Sequence, residues 1–197
     1  ETFITVPPIR MAARKLRSIL LFLLLNTTGV SAQHSALKTN LLQWATTTPN
    51  ASVEFALGRH FSLEAGGSYN AWKFGNGMKL NLYMARPELR YWLCRKFEGH
   101  FLGIHGHYGH FNIGLIPFLR IMKDDIYRGD FYGGGLSYGY HWALGRRWGM
   151  EAVIGGGYVN MQYGKYRCVE CAEKTGDYKR NYFGVTRAAI NLIYFIK

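Results

Sequence analysis

Between Tyr132 and Leu144 bulk and its absence take turns along the chain. Tyr132, Leu136, Tyr138, Tyr140, Trp142 and Leu144 fall on one face of an extended backbone, and Gly133, Gly135, Ser137, Gly139 and His141 fall on the other. A period of two belongs to a strand, because successive Cβ atoms of an extended chain point to opposite sides. The same period recurs at Phe61, Leu63, Ala65, Gly67 and Tyr69 against Ser62, Glu64, Gly66, Ser68 and Asn70. It recurs again where Arg86, Glu88 and Arg90 oppose Tyr83, Ala85, Pro87, Leu89, Tyr91 and Leu93. Eight segments satisfy the criterion, at 36–46, 50–58, 61–70, 79–93, 98–113, 129–143, 147–162 and 181–197. With aromatic residues at 16%, 24 Gly and only 5 Pro, the composition suits twisted strands better than helices.

The N-terminus does not join this pattern. Arg14, Lys15 and Arg17 precede the apolar run Ile19 to Leu25, and Val30-Ser31-Ala32 places small residues where a signal peptidase cuts. Residues 1–32 therefore read as upstream residues plus a signal peptide cleaved after Ala32, with Met11 as the natural start and 33–197 as a single domain. The apolar run is too short to span a bilayer as a helix, and a mean hydropathy of -0.11 excludes a bundle of spanning helices.

The choice of which face is outside decides the class. A water-soluble sandwich turns its apolar face inward, whereas an outer-membrane barrel turns it to lipid. Three features favour the inverted order. The segments are long enough to cross a bilayer when tilted, for which about 9–11 residues suffice. Connections alternate between short ones (58–60, 94–97, 145–146) and longer polar ones (71–79, 114–128, 163–180), as in barrels with short periplasmic turns and long outer loops. Aromatics collect near segment ends (Tyr69, Trp72, Tyr91, Trp92, Tyr140, Trp142, Trp148, Tyr158, Tyr194, Phe195), as an interfacial girdle requires. The reading is an all-β protein, an eight-stranded antiparallel transmembrane β-barrel in the outer membrane of a Gram-negative bacterium.

With that orientation the enclosed face carries Lys38, Arg86, Arg90 and Arg187 against Glu54, Glu64, Glu88 and Glu151, four charges of each sign. Side chains fill the interior of an eight-stranded barrel, and buried charges persist only when paired. A salt-bridged, plugged lumen follows, which disfavours a small-solute channel. Two of these glutamates sit in an internal repeat: residues 56–65 (ALGRHFSLEA) recur at 143–152 (ALGRRWGMEA), each copy placing Gly and Arg at a turn and an inward Glu three residues after an aromatic.

The stretch Leu37 to Leu42, Thr46-Thr47-Thr48-Pro49-Asn50, Val53-Glu54, Tyr69-Asn70, Trp72, Pro87 to Leu93 and Gly99-His100-Phe101 with Gly103 resembles a family of Bacteroidetes-type outer-membrane barrel proteins often encoded beside fimbrial genes. The resemblance covers nearly all of the mature chain. It implies a fold and a membrane, with surface-appendage assembly as a context, and it carries no catalytic or ligand residues.

Other constellations keep several readings open. Cys168 and Cys171 form a CxxC in the longest outer loop, which reads as a disulfide or plain thiols, as half a zinc site lacking nearby partners, or as a redox pair. His105 and His107 share a face and can fill a polar lumen or grip a metal together. Ser137, His105 or His107, and Glu151 could make an acyl-hydrolysing set of the kind a lipid A-modifying enzyme needs, although no GxSxG surrounds Ser137. No metal or other cofactor is expected. Ile116, Pro117, Phe118 and Leu119 form an apolar candidate docking loop. Arg59, Arg95, Lys96, Arg146 and Arg147 gather at the short turns as a basic collar, joined by Lys197 and opposed by Glu98. Secretion argues against nucleic acid as their partner despite a pI of 9.7. Outer-membrane lipids are the expected partners, with cell-envelope or fimbrial proteins as candidates.

Overall fold

The computed structural model describes residues 35–73, 79–114, 126–166 and 174–196. The signal peptide, the docking-loop residues Ile116, Pro117, Phe118 and Leu119, the pair Cys168 and Cys171, and Lys197 lie outside the described residues. Eight strands run in order: β1 (Ser35–Asn40), β2 (Asn50–Ala56), β3 (Phe61–Lys73), β4 (Lys79–Trp92), β5 (Gly99–Gly114), β6 (Ile126–Ala143), β7 (Trp148–Tyr166) and β8 (Lys174–Ile196). They lie in one compact unit, His34–Lys197. Each strand pairs antiparallel with its sequence neighbour in a single sheet. β1 also pairs with β8, from Ser35↔Ile196 to Asn40↔Asn191, so the first and last strands are hydrogen-bonded neighbours over the six residues of β1.

The expected first strand, 36–46, is cut short. β1 stops at Asn40, and Leu41–Ala45 form a short helix, α1. Asn40 Oδ1 accepts from the Leu42 N–H at 3.0 Å, the bond of an N-cap. Asn50 clasps the same residue, its Oδ1 accepting from the Asn40 N–H at 2.6 Å and its Nδ2 donating to the Asn40 carbonyl at 3.0 Å. An asparagine that offers the backbone a local partner competes with the ladder and ends it.

The longer connections are shorter than their polarity suggests. Pairing continues to Lys73↔Lys79, Gly114↔Ile126 and Tyr166↔Lys174, so the sheet takes in 71–73 and 79, 114 and 126–128, and 163–166 and 174–180 of those connections. Both faces carry polar side chains there, and period-two alternation in hydrophobicity is lost although the strand persists. Rings hold these extensions together: Phe111 and Tyr127 each pack on Tyr163, and Tyr163 stacks on Tyr178 at 5.8 Å.

The two copies of the repeat form the same hairpin turn. Leu57 N–H donates to the Phe61 carbonyl at 2.9 Å, and Leu144 N–H to the Trp148 carbonyl at 3.0 Å. Each turn delivers its glutamate, Glu64 or Glu151, fully buried on the enclosed face.

Exposure follows side-chain parity. Leu63, Leu89, Leu102, Ile104, Leu136, Ile154 and Val185 form an outward apolar band, with Leu136 66% exposed. Exposed aromatics border it on both sides: Phe61, Tyr91, Tyr138, Trp142 and Trp148 toward the short turns, and Tyr69, Tyr83, Tyr108, Tyr132 and Tyr158 toward the other end. Two residues assigned to that girdle turn the other way. Trp92 is fully enclosed, and Phe195 packs against the Phe97 and His141 rings of the interior. Their parity decides this: Trp92 lies two residues past Arg90, and Phe195 two past the buried Ile193.

Candidate functional site

The enclosed face gathers the charged residues into one cluster. Glu54, Glu64, Glu88, Glu151, Lys38, Arg90 and Arg187 are all buried, and Arg86 retains a little exposure at the edge. Arg90 of β4 is the hub. Its Nη1 and Nη2 donate to Glu151 Oε2 and Oε1, each at 3.0 Å, its Nη1 also donates to Glu54 Oε2 at 3.0 Å, and its Nε to Glu88 Oε1 at 3.2 Å. It also pairs with Glu64, and its guanidinium lies 4.4 Å over the Phe101 ring. A planar fork of five donors suits this better than an ammonium would.

Lys38 of β1 donates to Glu151 Oε2 at 2.8 Å, lies 3.5 Å from Glu64 and pairs with Glu54. Arg187 of β8 donates to Glu64 Oε1 at 3.2 Å and pairs with Glu88, while Arg86 Nη2 sits 3.8 Å from Glu64. Strands that are not neighbours in the sheet are thus joined through the interior: β4 to β7, β3 to β8 and β1 to β7. Four positive and four negative groups balance, and none of the carboxylates is left without a cation. Arg86 Nε and Arg187 Nε are buried without a hydrogen-bond partner, but every carboxylate is paired, and a network of this kind rigidifies the interior it fills.

Ser137 and three residues that sequence reasoning missed as site members, Ser62, Trp92 and Asn191, complete the cluster. Ser62 donates to Glu54 and accepts from the Trp92 indole N–H at 2.8 Å. Asn191 Nδ2 donates to Glu151 Oε1 at 2.6 Å, and Ser137 Oγ to Glu88 Oε1 at 2.9 Å. The signal that finds Ser62, Trp92 and Asn191 is alternation, since each lies an even number of residues from a recognised charge on its own strand. Gly103 makes room: a Cβ there would lie 2.4 Å from both Glu88 Oε1 and Ser137 Oγ.

Ser137, the two histidines and Glu151 are not assembled into a relay. Ser137 hydrogen-bonds Glu88, Glu151 is held by Arg90 and Lys38, and His105 Nε2 bonds Thr186 Oγ1 at 2.9 Å. Thr186 reaches that ring because the β7–β8 register shifts between Gly155 and Gly156, opposing Gly155 to Arg187 and Gly156 to Val185 and leaving Thr186 as the extra residue. His105 and His107 pack at 5.9 Å between ring centroids, with both Nδ1 atoms buried and without a hydrogen-bond partner. His100 and His110 are on the other side, bonded to the Tyr138 hydroxyl at 2.5 Å and to Asp130 at 2.9 Å. Among the described residues no three His, Cys, Asp or Glu side chains are grouped to hold a metal ion.

The collar residues Arg59, Arg95, Arg146 and Arg147 are exposed at the turns, and Lys96 is half-buried there. Arg59, Arg95 and Lys96 line one cleft with His60, Cys94, Phe97 and Glu98, and Cys94 is an exposed free thiol.

A family model described as Protein of unknown function (DUF3575) matches residues 18–196. No curated protein and no solved structure matches the chain.

Proposed function

The chain belongs to the DUF3575 family of proteins of unknown function, and from that premise we propose that it is an outer-membrane β-barrel of structural or interaction type, exported by a signal peptide cleaved after Ala32. One observation carries the reading. The outward face is an apolar band between two rows of exposed aromatics, while the enclosed face holds the paired charges. Water would reward the opposite arrangement, whereas lipid accepts a strand only when its backbone is paired on both sides and its outer side chains are apolar.

In this reading the ionic cluster is structural. It fills the interior and fixes the strands against one another, leaving the loops opposite the short turns to meet partners. Ile116, Pro117, Phe118 and Leu119 are the first docking residues to test, and cell-envelope proteins, fimbrial ones among them, are the proposed partners.

Fractionation of the native host membrane, gel mobility with and without heating, and cross-linking with mass spectrometry test the reading in one sample. A compact unheated band in the outer-membrane fraction, cross-linked to envelope proteins in a manner lost on deleting residues 116–126, is the expected result. A soluble protein with no mobility shift overturns it.

A further inference from the structure

We propose that the end of the sheet bearing the short turns holds one anionic phospholipid, its phosphate in the cleft of Arg59, Arg95 and Lys96 and an acyl chain along the apolar groove that starts at Phe61 and Tyr91. The inference rests on the outer-membrane reading above and names the lipid chemistry for one side of the barrel.

The cleft is about 440 Å³ and sits between the β2–β3 and β4–β5 turns. Its walls are pinned rather than loose. Lys96 N–H donates to the Arg59 carbonyl at 3.2 Å, Trp92 N–H to the His60 carbonyl at 2.7 Å, and the His60 ring bonds the Trp92 carbonyl at 3.1 Å. Phe97, held at a positive φ of 62°, drives its ring into the interior against Trp92 and Phe195 and anchors the β4–β5 turn. Three cations face one carboxylate, Glu98, and among the described residues none of the three is ion-paired. A fixed cleft in which three cations outnumber one carboxylate is complementary to a phosphate.

The groove, about 290 Å³, runs along the outer wall between Phe61, Leu89, Tyr91, Leu102, Ile104 and Leu136. It begins one residue from the cleft. Tyr91 bridges the two, its ring 5.9 Å from His60 and 5.2 Å from Phe61. A mainly apolar groove beside a cationic cleft matches a molecule with a hydrocarbon tail and an anionic head. A free phosphate would use the cleft and leave the groove out.

Native mass spectrometry of the full mature chain, folded in detergent with phosphatidylglycerol or phosphatidylcholine, counts the lipids retained. One phosphatidylglycerol should be held roughly tenfold to a hundredfold more tightly than phosphatidylcholine. Arg59→Gln/Arg95→Gln/Lys96→Gln should lose that preference, and Leu89→Ala/Leu102→Ala should weaken retention of both lipids. Arg146→Gln/Arg147→Gln, on the separate β6–β7 turn, should retain phosphatidylglycerol as the unaltered chain does. Equal retention of the two lipids, or equal loss in the Arg146/Arg147 variant, overturns the proposal. So does inorganic phosphate that displaces the lipid at equal concentration, which would make the free anion the ligand. Heated and unheated gel mobility of each sample separates the two readings: a chain that shifts but keeps no lipid sinks this inference alone, and a chain that never shifts sinks the barrel reading first.

Discussion

Arg90 and Glu151 meet across the interior in a two-pronged pair, Nη1 to Oε2 and Nη2 to Oε1, both at 3.0 Å, although β4 and β7 share no ladder. Such a chord ties opposite walls directly. It also means that the stability of the sheet is held partly in charges rather than in apolar packing.

Removing one end of that chord should therefore hurt more than removing both. Arg90→Met leaves Glu54, Glu64, Glu88 and Glu151 around an apolar side chain, and a loss of about 3–5 kcal/mol is expected for an uncompensated buried charge. Arg90→Met/Glu151→Met restores the balance of signs and should recover part of that loss. Urea unfolding of vesicle-inserted protein, followed by tryptophan fluorescence, measures both. A double variant less stable than the single one contradicts the charge-balance account.

Leu136 separates lipid from water as the outer solvent. It is 66% exposed at the middle of the apolar band, so Leu136→Arg should cost about 2–4 kcal/mol of folding stability in a bilayer. In water the same change would fall within about 0.5 kcal/mol. Folding yield and unfolding midpoint in vesicles give the answer.

Much of this arrangement was legible before any coordinates. Period-two alternation located the strands and oriented Glu64, Arg90 and Glu151, because a charge placed every second residue must share a face. What alternation could not express was a break in its own rhythm. Thr186 enters beside His105 only because a bulge inserts an extra residue. Leu41 and Leu42 read as strand, yet the Asn40 cap and its Asn50 clasp turn them into α1. Trp92 differs for another reason: its position near a strand end suggests an interfacial role, while its parity with Arg90 sends it inside.

Close approach between β6 and β7 leaves no room for a methyl group at Gly135, whose added Cβ would fall 2.2 Å from the Gly156 carbonyl oxygen. Backbone cannot step aside as a flexible side chain does. Gly135→Ala should destabilise by about 1–3 kcal/mol. Gly145, with nothing within 4 Å of an added Cβ, provides the matched control, and Gly145→Ala should stay within about 0.5 kcal/mol. Equal unfolding midpoints for the two variants would contradict the strand spacing.

Cys94 reports which way the sheet is threaded. It is exposed beside the short β4–β5 turn. In a Cys168→Ser/Cys171→Ser background a membrane-impermeant maleimide should label it only after the outer membrane is permeabilised. Labelling in intact cells would reverse the orientation.

The unequal strand lengths give the sheet a front and a back. β1 and β2 have 6 and 7 residues, whereas β7 and β8 have 19 and 23, and about 9–11 suffice for a crossing. Because the short turns sit together at one rim, the surplus rises beyond the other, as a parapet along part of the circumference. β8 accordingly runs on from Asn191 back to Lys174, past the level at which β1 has already ended at Asn40.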